Sequence, residues 1–282
     1  MTELPTCFKV NGTDLRGILH QPTDQQNCRA NIIFLHGWSG CRLGPHRMFV
    51  KTARALSNRG FRSLRFDFRG RGESDGVTSN TTISSMVQDT TASIEFMQSH
   101  YSATRTILLA ICSGTKVAIA SAATNPAIDG LALWSAEPMG HLRGHGAALQ
   151  RHKRLHAIFQ YLRKLKSPHT WRKLLTLNVN TDMVHKALNS QETPNDQELI
   201  DETAWLAQFQ HYPGRILFVH GTSDPIASVA RANYNAFCNQ FAISHTDHDV
   251  QGANHSYYGL HWEHQVISHT TEWIESLCGA NA

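Results

Sequence analysis

Nowhere does the chain run to the ~18 uninterrupted apolar residues that a membrane-spanning helix requires, so no span is expected. The opening MTELPTCFKVNG has no basic segment followed by an apolar core, so no secretory leader is expected. Six cysteines, at 7, 28, 41, 112, 238 and 278, form neither a CxxC pair nor a cluster. That pattern argues against a disulfide framework or a thiolate metal site and fits reduced thiols in a cytoplasmic chain. Charge imbalance is also slight. A net +4 over 282 residues does not demand nucleic acid as a partner. Internal repeats and low-complexity tracts are lacking, and apolar residues make up 41%, which excludes a disordered chain. Eighteen histidines exceed the usual share, but their number alone says nothing about metal.

What is present is an alternation of short apolar runs with amphipathic stretches. ANIIFLHG (30–37), FRSLRFDF (61–68), RTILLAIC (105–112), GLALWSA (130–136) and RILFVHG (215–221) read as buried strands, and HDVQG (248–252) as a further one. Residues 46–59, 83–99 and about 260–277 carry apolar positions at helical spacing, and a helix of small residues follows 112. Strands separated by helices predict an α/β fold with a mostly parallel sheet covered on both faces. The first 25 residues predict an antiparallel lead-in hairpin turning at Asn11-Gly12. The alternation breaks between 137 and 212. The expected organisation is a core of 1–136 and 213–282 with a helical lid of 137–212 over the carboxyl ends of the strands, where open α/β sheets bind ligands.

The chemistry gathers at three loops. A nucleophile elbow needs small residues two before and two after the nucleophile. In Ala110-Ile111-Cys112-Ser113-Gly114, a frame on Cys112 is flanked by Ala110 and Gly114, whereas a frame on Ser113 is flanked by the larger Ile111 and Thr115. The frame therefore selects Cys112. HGTSDP places Asp224 after one strand and GANH places His255 after the next. Nucleophile, acid and histidine in that order make a Cys112–His255–Asp224 triad: a thiol beside a histidine ionises more readily, and the acid fixes the imidazole tautomer. His36-Gly37-Trp38-Ser39-Gly40 follows the first buried strand. By position, the backbone amides of Trp38 and Ser113 are the candidate oxyanion donors. His46 and Arg47 stand just beyond, able to meet a substrate carboxylate or phosphate, or else to serve as exposed polar residues opening a helix. The run His245-Thr246-Asp247-His248-Asp249 imitates a metal site, but strand alternation sends neighbouring side chains to opposite faces, so no metal is expected. No cofactor motif is present, and none is expected.

HGWSG, DFRGRGESDG (67–76), the elbow, HGTSDP and GANH together resemble the α/β-hydrolase superfamily over about 12–277, apart from 137–212. In that superfamily the loop Asp67–Ser74 is similar to an architectural loop of esterases and C–C hydrolases. With CRLGPHRMFV (41–50) it resembles a bacterial branch of hydrolases that includes those accompanying exosortase systems. The cysteine, and Ala110 in place of the first elbow glycine, depart from the common pattern. A cysteine elbow is similar to that of dienelactone hydrolase and polyhydroxyalkanoate synthase, neither of which matches well elsewhere.

The resulting expectation is a hydrolase that cleaves an ester or thioester of a small-molecule acyl substrate through an acyl-cysteine. Acyl transfer to an amine or alcohol follows the same steps, and a non-catalytic binding protein on a hydrolase scaffold is the reading from another class. Gly140–Thr181 holds nine Lys or Arg and no Asp or Glu. That stretch reads as a solvated helical face, or as a lid that guides an anionic substrate or an acidic acyl carrier protein.

Overall fold

The protein is described here from a computed structural model, in which residues 1–25, 28–143 and 196–279 are described. Strands β1 (Thr2–Val10) and β2 (Thr13–Gln21) form the expected hairpin, with Asn11 at φ 49° and Gly12 at φ 82°. Two successive left-handed residues match the right-handed twist of the paired strands. The remaining strands are β3 (Asn31–Leu35), β4 (Arg62–Phe66), β5 (Thr106–Ile111), β6 (Gly130–Trp134), β7 (Arg215–Gly221) and β8 (His245–Val250). They join one eight-stranded sheet in the order β1-β2-β4-β3-β5-β6-β7-β8, antiparallel at the β1–β2 and β2–β4 pairs and parallel from β4 to β8.

Strand alternation builds two cores. Ile33, Leu35, Leu108, Ala110, Leu131, Leu133, Ile216 and Phe218 point to one face. There they meet α2 (Ile83–His100), α3 (Gly114–Thr124) and α5 (Pro225–Gln240). The next residues along each strand (Ile32, Phe34, Leu109, Ala132, Trp134, Leu217 and Val219) point to the other face, against α1 (Met48–Asn58) and α6 (Leu260–Gly279). Strands buried on both faces read as continuous apolar runs, which is why β3, β5, β6 and β7 stand out in the sequence. The exception is β8. It begins at His245, three residues before the predicted start, because it closes the sheet with polar residues.

Two compact units divide the chain: Met1–Arg143 with Ile200–Ala282, and Gly144–Leu199. The first holds the whole sheet. Most of the expected lid, including nearly all of its basic stretch, lies outside the described residues. Both ends of the 137–212 span belong to the first unit instead. Met139 and Leu142 share the first core with Leu206, Phe209 and Tyr212, which come from or just after α4 (Asp196–Phe209).

Candidate active site

Cys112 stands between the end of β5 and the start of α3 with φ 58°, a left-handed conformation that costs a residue with a side chain on the order of 1–3 kcal/mol. The packing around it makes the turn unavoidable. A Cβ on Gly114 would lie 2.5 Å from the Leu35 carbonyl oxygen and 2.7 Å from that of His36. Only glycine lets α3 start this close to the end of β3. Ala110 on the other flank is fully buried. The left-handed turn and small flanks thus fall on Cys112, while Ser113 is helical at φ −62°.

Asp224 follows β7 and acts twice. It is the N-cap of α5, where its Oδ1 accepts the Ile226 amide at 3.0 Å and Pro225 opens the helix. Its Oδ2 lies 2.7 Å from His255 Nδ1. Burial works against the Asp224 carboxylate, but the His255 hydrogen bond and charge, with the amides of Ile226 and Ala227, outweigh it and lower its pKa. For His255, burial likewise opposes the charged ring. Hydrogen bonds and charges of Asp224 and Cys112 win, raising the ring from 6.5 to about 10.

Two residues that sequence reasoning missed anchor the histidine loop. Ser135, at the carboxyl end of β6 with φ 45°, donates its hydroxyl to the His255 carbonyl at 2.9 Å. Tyr257, fully buried with φ 53°, donates to the Val219 carbonyl at 2.8 Å and accepts the Ser135 amide at 3.1 Å. Tyr257 was visible in GANHSYYG, yet nothing in that string marks a tyrosine that ties the loop to β6 and β7.

The thiol meets a group no motif announced. Cys112 Sγ donates to Glu137 Oε1 at 3.1 Å. Ligand atoms of Cys112, Glu137 and His255 all lie within 4.8 Å of one another. The Glu137 backbone is fixed at both ends: its amide donates to Thr115 Oγ1 at 3.2 Å, and its carbonyl accepts the Tyr234 hydroxyl at 2.8 Å. Behind it sits Lys116, buried, 3.9 Å from Glu137 Oε2 and 3.2 Å from Glu202 Oε1. Glu202 is itself fully buried and accepts the Gly140 amide at 2.6 Å.

The loop after β3 packs directly on this centre. A Cβ on Gly37 would meet Cys112 Cβ at 3.1 Å. The Trp38 amide donates to Ser113 Oγ at 2.7 Å, so in this state the hydroxyl holds one of the two expected oxyanion donors. His36 shapes the loop from beneath. Its Nδ1 donates to the Gly37 carbonyl at 2.8 Å, and its Nε2 accepts the Phe68 amide at 3.2 Å. Burial holds this ring neutral, with its pKa lowered to about 4. The Asp67–Ser74 loop is architectural: Asp67 accepts from the Arg42 backbone and guanidinium and from the Glu73 amide, and Ser74 donates to the Asp67 carbonyl at 2.5 Å.

His46 and Arg47 sit exposed at φ 50° and 63° on the turn before α1. The His46 ring packs edge-on against Tyr258, 4.4 Å between centroids, and no polar contact joins either residue to Cys112 among the described residues. In β8, alternation puts His245 and Asp247 on one face, 3.9 Å apart, and His248 on the other. Asp247 and Asp249 face Arg231, while His248 packs on His269. Two open clefts, of about 340 and 500 Å³, lie at the amino ends of β5 and β6 around Arg105 and Asp129, and neither includes Cys112, Asp224 or His255.

A family model described as serine aminopeptidase, S33 (Hydrolase_4), matches residues 26–264, spanning every strand from β3 to β8. The chain belongs to this family of α/β-hydrolases. It is therefore an α/β-hydrolase enzyme. A comparison with curated proteins finds no match. Solved structures share the fold over nearly their whole length. Est1E from Butyrivibrio proteoclasticus, bound to ferulic acid, aligns at TM-score 0.68 with 16% identity, covering 97% of this chain and 99% of that one. Dienelactone hydrolase from Anabaena variabilis aligns at 0.64 with 13% identity, covering 97% and 96%. An α/β serine hydrolase homologue from Coxiella burnetii aligns at 0.60 with 16% identity, covering 100% and 99%. At these identities the likeness is one of architecture. Among the described residues of this S33-family chain, no helix is long and apolar enough to cross a membrane.

Proposed function

We propose that this S33-family hydrolase cleaves an ester or thioester of a small acyl substrate through an acyl-cysteine at Cys112, with His255 as proton carrier and Asp224 as its orienting acid. The observation that carries the reading is the left-handed Cys112 on a sterically enforced elbow, within 4.8 Å of a histidine whose far nitrogen is 2.7 Å from a buried carboxylate. The Cys112 thiolate attacks the carbonyl carbon and the carbonyl π electrons move onto oxygen. Backbone amides of Ser113 and Trp38 receive that oxyanion, the latter once the Ser113 hydroxyl gives way. The His255 imidazolium protonates the leaving alcohol or thiol. Water, losing a proton to His255, then attacks the acyl-cysteine and restores the thiolate. A ring whose pKa is raised to about 10 suits this sequence, because it can serve first as the acid.

Ester chemistry draws further support from Est1E, whose bound ferulic acid is a carboxylic acid of the kind such cleavage releases. The basic stretch that raised the idea of an acidic acyl carrier lies outside the described residues, so transfer to an amine or alcohol stands as an outcome of the test. That test is intact-protein mass spectrometry after brief exposure to activated esters and acyl-thioesters, beside Cys112→Ala. The expected result is one acyl mass on the wild type and none on the variant, with added water, amines or alcohols sorting hydrolysis from transfer. Equal labelling of both proteins, or labelling of neither, overturns the reading.

A further inference from the structure

We propose that Cys112, Glu137 and His255 bind one Zn²⁺ ion, and that its binding switches the acyl chemistry off. Metal binding uses the same side chains as the proposed triad without requiring Cys112 to be a nucleophile, whereas the switch rests on the function proposed above.

The donor set comes first. One sulfur, one imidazole nitrogen and one carboxylate oxygen are ligands that Zn²⁺ accepts, and three protein ligands with one open position make an ordinary mononuclear site. Among the described residues this is the one trio of such side chains gathered within 4.8 Å. Zinc bonds of ~2.0–2.3 Å place tetrahedral donors roughly 3.3–3.8 Å apart. Cys112 Sγ and Glu137 Oε1 are already 3.1 Å apart and need only part slightly, with the His255 ligand atom within 4.8 Å of both.

Orientation follows. Asp224 lies against Nδ1 of His255 at 2.7 Å, which leaves Nε2 to meet the metal once it has lost its proton. A carboxylate on the far nitrogen is the usual support of a zinc-bound histidine, fixing its tautomer and strengthening it as a ligand. Glu137 is split in a matching way. Lys116 approaches Oε2 at 3.9 Å, while Oε1 faces the thiol. The Lys116 charge, which would oppose a cation, is countered by Glu202 at 3.2 Å. The backbone of all three ligands is held: Cys112 by its elbow, Glu137 through Thr115 and Tyr234, and His255 through Ser135. The other acid–histidine gathering, at Asp247, faces the Arg231 guanidinium and lacks this balance.

Proton accounting gives the site a signature. Zinc takes a thiolate and a neutral ring, so any protons on Cys112 and His255 leave as it binds. Affinity therefore rises with pH. The bound ion occupies both the sulfur lone pair and the nitrogen that must carry protons, so acylation stops.

The experiment titrates the full-length protein with Co²⁺, reading thiolate-to-cobalt charge-transfer absorption, and with Zn²⁺, reading acyl labelling. Wild type is expected to bind one equivalent with a charge-transfer band, release protons on binding, and lose labelling with Zn²⁺ until a chelator is added. Cys112→Ser removes the band. Glu137→Gln, nearly isosteric, weakens Co²⁺ binding by at least about tenfold, since even outer-shell partners are worth about 10–100-fold, and Asp224→Asn weakens it within that range. Absence of a band in the wild type overturns the proposal. So does a band that survives Cys112→Ser, which assigns the metal to another cysteine, or undiminished affinity in Glu137→Gln. A cobalt band without any acyl adduct refutes the nucleophile and leaves the metal site standing. An adduct without a band does the reverse.

Discussion

Beyond their own 2.7 Å pair, Asp224 and His255 are held by hydrogen bonds to backbone and a neutral hydroxyl, whereas Cys112 faces a line of charge running from Glu137 through Lys116 to Glu202. On the acid side every contact favours one state, an ionised Asp224 beside a protonated ring. On the thiol side the hydrogen bond goes to a carboxylate that has no place in a simple triad. The difference separates what must be fixed, the imidazole, from what must stay free to move, the sulfur. Asp224→Asn strikes the fixed half. It keeps the shape but changes the tautomer, and a loss on the order of 10⁴ in kcat is expected for a triad acid, read with an activated ester. A loss under tenfold would mean that His255 is oriented by its backbone anchors alone.

Lys116→Met probes the charged half. Removing one partner of a buried ion pair costs about 3–5 kcal/mol, and Lys116 lies 3.2 Å from the fully buried Glu202 carboxylate. A lower urea midpoint is expected, and the double variant Lys116→Met/Glu202→Leu should recover most of it, since replacing a buried ion pair by apolar residues is often neutral or stabilising. A single variant as stable as wild type would show that Lys116 serves Glu137 and not the fold.

These halves were not equally legible. Cys112, Asp224 and His255 were readable because each follows a strand buried on both faces or closes the sheet beside one, and the elbow imposes small neighbours. Glu137 and Lys116 were not. Glu137 lies where the strand–helix alternation breaks down, and Lys116 is a single charge in a helix of small residues whose burial depends on Glu202, 86 positions away. Helix α5 escaped the sequence reading for a related reason. Its inward face includes Ala227 and Ala230, weakly apolar residues that give little periodic contrast. At β8 a closing strand of His, Thr and Asp offers no apolar run to read.

pH separates the halves again. His255 stands at about 10 in the folded chain against 6.5 ordinarily, so its coupling stabilises the fold fully below pH 6.5 and fades as pH rises through about 10. Urea midpoints across that range should fall in wild type. Cys112 contributes to the raised value by hydrogen bond and charge, so Cys112→Ser should move the ring back toward 6.5 and shift the fall to lower pH. Identical profiles would show that Asp224 alone sets the ring and that the sulfur carries no charge in the folded site.

The smallest effect is expected at Ser113, and it decides the frame of the elbow. Ser113 Oγ accepts the Trp38 amide at 2.7 Å, a hydrogen bond between neutral groups worth about 0.5–1.5 kcal/mol. Ser113→Ala removes that acceptor and leaves both backbone amides, that of Trp38 and that of the substituted residue, free for an oxyanion. Acyl labelling and turnover should therefore stay within about tenfold of wild type, in either direction, as a bond of that size allows. Complete loss of labelling would instead place the nucleophile on Ser113. A helical residue with φ −62° would then be carrying out what the left-handed turn at Cys112 is built to present.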